Sequence, residues 1–273
     1  MSKSQRLRHS DLKNVYRLIG ECRDLGADPL AWRRRLLEGV MLLTGARVGY
    51  LVDLLGFPGP RRRAGGKIQL GLEPPRQTNI FADHFEFMAQ GGEDPMLRHF
   101  GALPLDRQHT FSTDQVLDLD QWRRSESFQR FHRNMDMDPG ILSMCPLRSL
   151  GPQCHHTVSL RRCVGERSFT LRDVQLVDCL HHELAPEVGR HLAPADEPSA
   201  SELSPRLQQT LQCLLDGQSE KQIAERLCLS RPTVHEYVTA IYRRFEVSSR
   251  SELMARWIRY GTGAATPGDR DLI

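Results

Sequence analysis

The 273-residue sequence has no Cys-x-x-Cys pair. Its seven cysteines, Cys22, Cys145, Cys154, Cys163, Cys179, Cys213 and Cys228, are odd in number and irregular in spacing. Such a set is no disulfide framework and reads as free thiols in a reducing cytoplasm. A long apolar run is also missing. The most apolar stretch, residues 36–57, is broken by Glu38, Arg47 and Asp53, whereas a membrane span needs about 20 mostly apolar residues. Residues 1–8 are basic, but no apolar segment follows them, so no signal peptide is expected. A Walker A loop and a dinucleotide-binding glycine fingerprint are absent, as is any repeat of fixed period. Neither sign of charge dominates: 37 Lys and Arg face 34 Asp and Glu, a net charge of +3. That balance permits a polyanionic partner without arguing for one. These absences point to a cytoplasmic chain that is not an enzyme, makes no membrane contact and needs no cofactor.

What is present divides at a change in composition. Residues 193–201, Ala-Pro-Ala-Asp-Glu-Pro-Ser-Ala-Ser, are rich in proline, small residues and acids, and predict an unpacked linker. The expected organisation is a regulatory domain over 1–192, a linker over 193–202, a helical domain over 203–261 and a flexible tail over 262–273.

The N-terminal part reads as mixed α and β. Helical spacing predicts a helix over 10–25, with Ser10 as its N-cap, and a second over 29–43. Residues 48–55 are an apolar run of strand length, and 56–66 read as a loop. A helix is predicted over 119–135, strands over 141–150 and 157–164, and a long amphipathic helix over 170–192 that Pro186 kinks or interrupts. This order resembles a GAF-like ligand-sensing domain, which implies an α+β fold and a small-molecule ligand. No cluster of acids with a distant lysine marks a phosphorelay receiver.

Two groups of residues in this part invite a chemical role. Cys154, His155, His156, Cys163, Cys179, His181 and His182 are of the types that ligate zinc. Adjacent histidines on a strand point to opposite faces, and on a helix they diverge by about 100°, so no metal site is expected there. Trp122, Phe128 and Phe131 are aromatic residues at helical spacing, and read as core before they read as a pocket lining.

The C-terminal part is more explicit. Ser204 caps a first helix with Pro205 at its first position. Gly217 ends that helix. Ser219 and Gln222 form a capping box for a second helix. Cys228 and Leu229 turn the chain, Ser230 caps a third helix running to about Phe245, and a fourth begins near Ser249. On the third helix, Val234, Val238, Ile241 and Phe245 share one face, while Glu236, Thr239 and Arg243, flanked by His235, share the opposite one. Nine basic against six acidic residues make this part net basic.

Several stretches in this order, Leu203-Ser-Pro-Arg, Leu211-x-x-Leu-Leu-x-Gly217, Ser219-Glu-Lys-Gln-Ile-Ala224, Leu229-Ser-Arg-Pro-Thr-Val234 and Phe245-Glu-Val-Ser-Ser-Arg250-Ser-Glu-Leu253, resemble the LuxR-type helix-turn-helix. The resemblance implies an all-α four-helix domain that binds double-stranded DNA, with the third helix in the major groove. It marks Ser219, Lys221, Ser230, Arg231, Thr233, His235, Glu236, Thr239, Arg243 and Arg250 as DNA-contacting. It also marks Leu253, Met254 and Trp257 for homodimerisation through the last helix. The implied function is transcription regulation, with RNA polymerase as a partner. The chain departs from the usual pattern at Leu207, Cys228, His235 and Tyr237. A side chain in the left-handed turn at Cys228 costs on the order of 1 kcal/mol. Two alternatives stay open: a metal- or thiol-dependent sensor or enzyme with a tethered DNA-binding module, and a protein-interaction adaptor.

Overall fold

The computed structural model describes residues 6–59, 62–138 and 140–260. The chain divides into two compact units, one formed by residues up to 20 with 33–188, the other by 21–32 with 189 onward. The tail expected over 262–273 lies outside the described residues.

The first unit is built on five antiparallel strands in the order β2-β1-β5-β4-β3. They are β1 (Val48–Leu55), β2 (Arg63–Leu70), β3 (His109–Ser112), β4 (Gly140–Pro146) and β5 (Cys154–Arg161). The central strands β1, β4 and β5 are buried along nearly their whole length, while β2 is a partly exposed edge. Both faces of the centre are therefore covered, which is why β1 and much of β4 read as continuous apolar runs rather than as an alternation.

One face carries α1 (His9–Asp24), α2 (Pro29–Thr44) and α7 (Leu171–Leu184). Leu36 of α2, Val158 of β5 and Val177, Leu180 and Leu184 of α7 surround one interior space there. α2 approaches β1 at Gly49, where a Cβ would lie 2.7 Å from Leu37 and 2.8 Å from the sulfur of Met41. The other face carries α3 (Arg76–Ala89) and α4 (Pro95–Gly101). Val52, Leu54, Leu142 and Met144 of the sheet pack there against Met96 and Phe100 of α4.

Several sequence expectations need correction. α1 starts at His9, so Ser10 is inside the helix; Asp11 accepts the Arg8 N–H at 2.8 Å instead. Residues 119–135 are not one helix. α6 (Leu119–Arg124) stops at an extended Ser125, and a wide π-helical turn (Phe128–His132) and a 3-10 turn (Arg133–Met135) follow. The interruption allows Trp122, Phe128, Phe131 and His132 all to be buried, which one straight helix with a single inner face does not. The stretch 56–66 is not wholly a loop, because β2 begins at Arg63 and passes through Gly65, where a Cβ would meet Leu55 at 2.8 Å. β4 ends early, at Pro146, and β5 starts three residues sooner than expected. Pro186 does interrupt the last helix of this unit, as a 3-10 turn over Ala185–Glu187. The elements α3, α4, β3 and the short α5 (Thr113–Val116) were not anticipated.

The second unit holds α8 (Pro205–Leu215), α9 (Glu220–Leu227), α10 (Arg231–Arg244) and α11 (Arg250–Tyr260). Leu211, Leu214, Ile223, Val234, Val238, Ile241, Phe245 and Leu253 form its core. Each of the first three helices has its serine cap: Ser204, Ser219 and Ser230 accept from Leu207, Gln222 and Thr233 respectively. Ser219 and Gln222 close the reciprocal box. Cys228 does take the left-handed conformation, with φ +52°.

The unpacked linker is corrected. Leu192, Ala193, Pro194 and Ser199 are buried. The Ala193 carbonyl accepts the indole N–H of Trp32 at 2.9 Å, and the Ser199 hydroxyl donates to Asp28 at 2.7 Å. The other oxygen of that carboxylate accepts the Ser201 N–H at 3.0 Å. Ala27, Ala193, Tyr260 and Trp257 pack together above them. Composition announced a chain without its own core, but the residues that anchor it lie more than 160 positions away.

Candidate DNA-contacting surface and enclosed pocket

Helix α10 owes its two faces to sequence spacing alone. Val234, Val238 and Ile241 are buried, and Arg231, His235, Glu236, Thr239 and Arg243 are exposed. Pro232 near the N-terminus and the Ser230 cap fix where the helix begins. A helix with such a polar, exposed face fits the width of the major groove. The His235 ring lies 3.4 Å from Glu220 at the start of α9 and stays 70% exposed. Among the described residues, Lys221, Arg231 and Arg243 have no carboxylate within salt-bridge distance. Arg226 and Arg244, by contrast, pair with Asp216 and Glu202.

The marked residues fall into three groups. Lys221, Arg231, His235, Glu236, Thr239 and Arg243 present exposed side chains. Ser219, Ser230 and Thr233 are engaged at helix starts, where the Ser230 and Thr233 hydroxyls lie 2.8 Å apart. Arg250 is half-buried and donates to the backbone carbonyls of Gln218 (2.7 Å) and Leu214. It thus ties the start of α11 to the end of α8. Of the residues marked for dimerisation, Leu253 is completely buried in the unit's own core, so it offers no surface to a second chain. Trp257 is half-buried with its ring edge-on to Phe245 at 5.2 Å. Met254 remains partly exposed, one turn from Ile258, which is 74% exposed.

In the first unit a pocket lies between the sheet and α3 and α4. Its cavity volume is only about 40 Å³, so the walls are nearly closed on one another. Val52, Leu54, Leu142, Phe85, Met88 and Met96 make its apolar walls. Its polar groups are Tyr50, Thr157, Arg161, His84 and Asp94. Arg161 is buried and reaches the Tyr50 and Thr113 hydroxyls only at 3.4 Å; its Nε has no hydrogen-bond partner. Gly140 makes room for it, because a Cβ there would overlap the guanidinium. Behind His84 and Asp94 lie Ser127 and His132. Burial drives His132 down to a pKa of about 3.

A second buried polar chain runs through the opposite side of the sheet. The Thr110 and Ser143 hydroxyls are 2.7 Å apart, Ser143 lies 2.7 Å from His181 Nδ1, and His181 Nε2 lies 3.0 Å from His156 Nδ1. Burial pushes His156 down to about 3 and His181 well below its ordinary value. Of the cysteine–histidine group, His156 and His181 come together, and Cys145 stands opposite His156 across β4 and β5. Burial raises the thiols of Cys154, Cys163 and Cys179, and lifts Cys145 to about 11. A reactive thiolate needs the opposite shift, so none of these four thiols carries the mark of a nucleophile. Sequence reading missed Asp94, His84, His132 and Arg161, which lie on elements it either did not find or did not connect.

Residues 201–256 match the family model described as bacterial regulatory proteins, luxR family. This stretch is a luxR-family helix-turn-helix domain. Among solved structures, the chain is similar to Escherichia coli SdiA, at 15% identity and TM-score 0.32 over 86% of this chain and 99% of that one. It is also similar to SdiA in complex with octanoyl-rac-glycerol, at 13% identity and TM-score 0.36 over 97% and 100%. A third is the VqsR LBD domain from Pseudomonas aeruginosa, at 11% identity and TM-score 0.42 over 65% and 91%. Comparison with curated proteins gives no match. Among the described residues, no helix is long and apolar enough to cross a membrane.

Proposed function

We propose that the chain is a DNA-binding transcription regulator whose luxR-type domain reads the major groove with α10 and whose N-terminal unit senses a small molecule. The observation that carries the first half is the exposed polar face of α10, with Lys221, Arg231 and Arg243 free of carboxylate contacts. His235, Glu236 and Thr239 are the base-reading candidates, and Lys221, Arg231 and Arg243 the phosphate-contacting ones. Ser219, Ser230 and Thr233 set the helix starts, whose free N–H groups favour phosphate. Arg250 serves by positioning α11. A homodimer on DNA would use the outward face of α11, where Met254 and Ile258 lie.

The second half rests on the pocket. Apolar walls with a few polar groups at one end are the usual make-up of a small-molecule site. The five-stranded antiparallel sheet flanked by helices is what supports the GAF-like comparison. Tyr50 and Arg161 can donate hydrogen bonds, and Asp94 can accept one, so an apolar molecule with a polar head is the class whose chemistry matches this lining.

Fluorescence anisotropy of the full chain against duplex DNA tests the first half. Affinity that falls steeply as salt rises supports it, because released counterions drive phosphate contact. A folded chain without salt-dependent binding would sink it and favour the protein-interaction adaptor.

A further inference from the structure

His84, Asp94 and His132 come from α3, from the start of α4 and from the wide turn after α6. They are 4%, 6% and 0% exposed. One donor atom from each falls within 4.8 Å of the others. His84 Nε2 stands 3.7 Å from Asp94 Oδ2, and His132 Nε2 stands 3.6 Å from the same oxygen. Neither distance is a hydrogen bond. Two ligand atoms, each about 2.1 Å from a tetrahedral ion, are about 3.4 Å apart. Both distances fall near that spacing, and the three donor atoms lie within 4.8 Å of one another.

Hydrogen bonding accounts for two members of the cluster but not for His132. Ser127 donates to Asp94 Oδ2 at 2.8 Å and lies 3.2 Å from His84 Nε2. Neither nitrogen of His132 has a partner, although the ring is completely buried. A buried polar group left unpaired costs stability. The ring packs edge-on against Trp122 and against His84, each with centroids about 5 Å away. Asp94 is itself fixed: its Oδ1 accepts the Leu97 N–H at 3.1 Å, so the capped helix aims Oδ2 at the two imidazoles.

We propose that His84, Asp94 and His132 form a binding site for one divalent transition-metal ion, with Zn²⁺ as the representative. Two imidazole nitrogens and one carboxylate oxygen suit zinc, iron or nickel rather than magnesium or calcium, which prefer all-oxygen shells. Three protein ligands leave a fourth position open. Ser127 lies 3.2 Å from His84 Nε2, and His84 and Asp94 border the pocket. The ion would pin α3, α4 and the wide turn to one another, so its binding stabilises the fold of the first unit. This site is separate from the zinc-type residues in and around β5 and α7, of which His156 and His181 meet on the opposite side of the sheet.

The test uses tag-free full-length chain and Zn²⁺ or Co²⁺ alone, with no pocket ligand. Elemental analysis after metal-supplemented purification should find one equivalent per chain. Added Zn²⁺ should raise the melting temperature of the stripped protein. His84→Gln and His132→Asn should each weaken Zn²⁺ by more than about tenfold, the loss seen when even an outer partner of a ligand is removed. The exposed His235→Gln should leave it unchanged. The Co²⁺ form should show visible d–d bands without a thiolate charge-transfer band, a readout that needs no variant. A chain that retains no metal and melts at the same temperature with Zn²⁺ overturns the proposal. So does binding that survives both substitutions, or a cobalt spectrum with thiolate character. Such a failure leaves the small-molecule reading of the pocket standing, since no organic ligand enters the experiment.

Discussion

The luxR-type domain and the N-terminal unit handle polar groups in opposite ways. In the four helices after residue 203, only Thr210 among polar side chains is buried, and the groups suited to chemistry face outward on α10. The N-terminal unit instead buries Asp53, His84, Asp94, His132, His156, Arg161 and His181. A surface that reads a polyanion needs its charges in water and free to meet phosphate. An enclosed site needs them desolvated and held. The first arrangement tolerates side-chain changes and fails when its core is charged; the second fails with protons.

That contrast is open to direct attack. The largest effect should come from Val234→Asp, which places a carboxylate without a partner in the centre of the helical core. A loss on the order of 4 kcal/mol or more is expected, read by urea unfolding, with DNA binding abolished. Retained binding would show that α10 does not depend on that core.

Acid should strike the other unit. His156 and His181 have folded-state pKa values below the ordinary 6.5, with His156 at about 3. The unfolded chain therefore binds more protons as pH falls. Their neutral burial contributes its full stability above about pH 6.5, and that stability is lost progressively toward pH 3. Each imidazole should cost about 1.4 kcal/mol per pH unit within the window. Peptide-resolved hydrogen exchange at pH 7 and pH 5 should show opening in β4, β5 and α7 but little change in α8 to α10. Equal loss in both regions would erase the comparison.

Arg250→Met separates positioning from contact. Losing its bonds to the Leu214 and Gln218 carbonyls should cost about 1.5–3 kcal/mol of stability, measured by denaturation, with no change in the salt slope of DNA binding. A reduced slope with unchanged stability would return Arg250 to the phosphate-contacting set. His235→Ala and Thr239→Ala should shift sequence preference by about 1–3 kcal/mol per lost base contact, read by competition between duplexes, without destabilising the fold. The smallest effect belongs to Cys228→Gly. Relief of the left-handed backbone at φ +52° should stabilise the domain by up to about 1 kcal/mol, visible as a raised melting temperature.

The same contrast governs what could be read from the sequence. The luxR-type helices announce themselves locally: caps, a capping box and apolar positions three or four apart all lie within about two turns of one another. Ser219 with Gln222, and Val234 with Val238 and Ile241, need no distant partner to be recognised. His84, Asp94 and His132 are spread over nearly fifty residues and meet only because α3, α4 and the wide turn converge. Arg161 ends an otherwise ordinary strand, and its burial depends on Gly140 in a neighbouring one. β2 was hidden by its own glycines, of which Gly65 fits against Leu55 while the pair breaks the strand signal. Trp122, Phe128 and Phe131 were correctly read as core, but the turn that buries them has no local signature.

The strapped segment after Leu192 bears on how such a protein can be taken apart. Asp28, Trp32 and Ala27 supply part of the second unit's own packing. A chimera spliced at residue 193 would therefore transplant the helices while leaving behind the loop that seats Tyr260 and Trp257. The transferable module is discontinuous in the chain. A graft intended to keep the last helix in place must carry residues 21–32 with it.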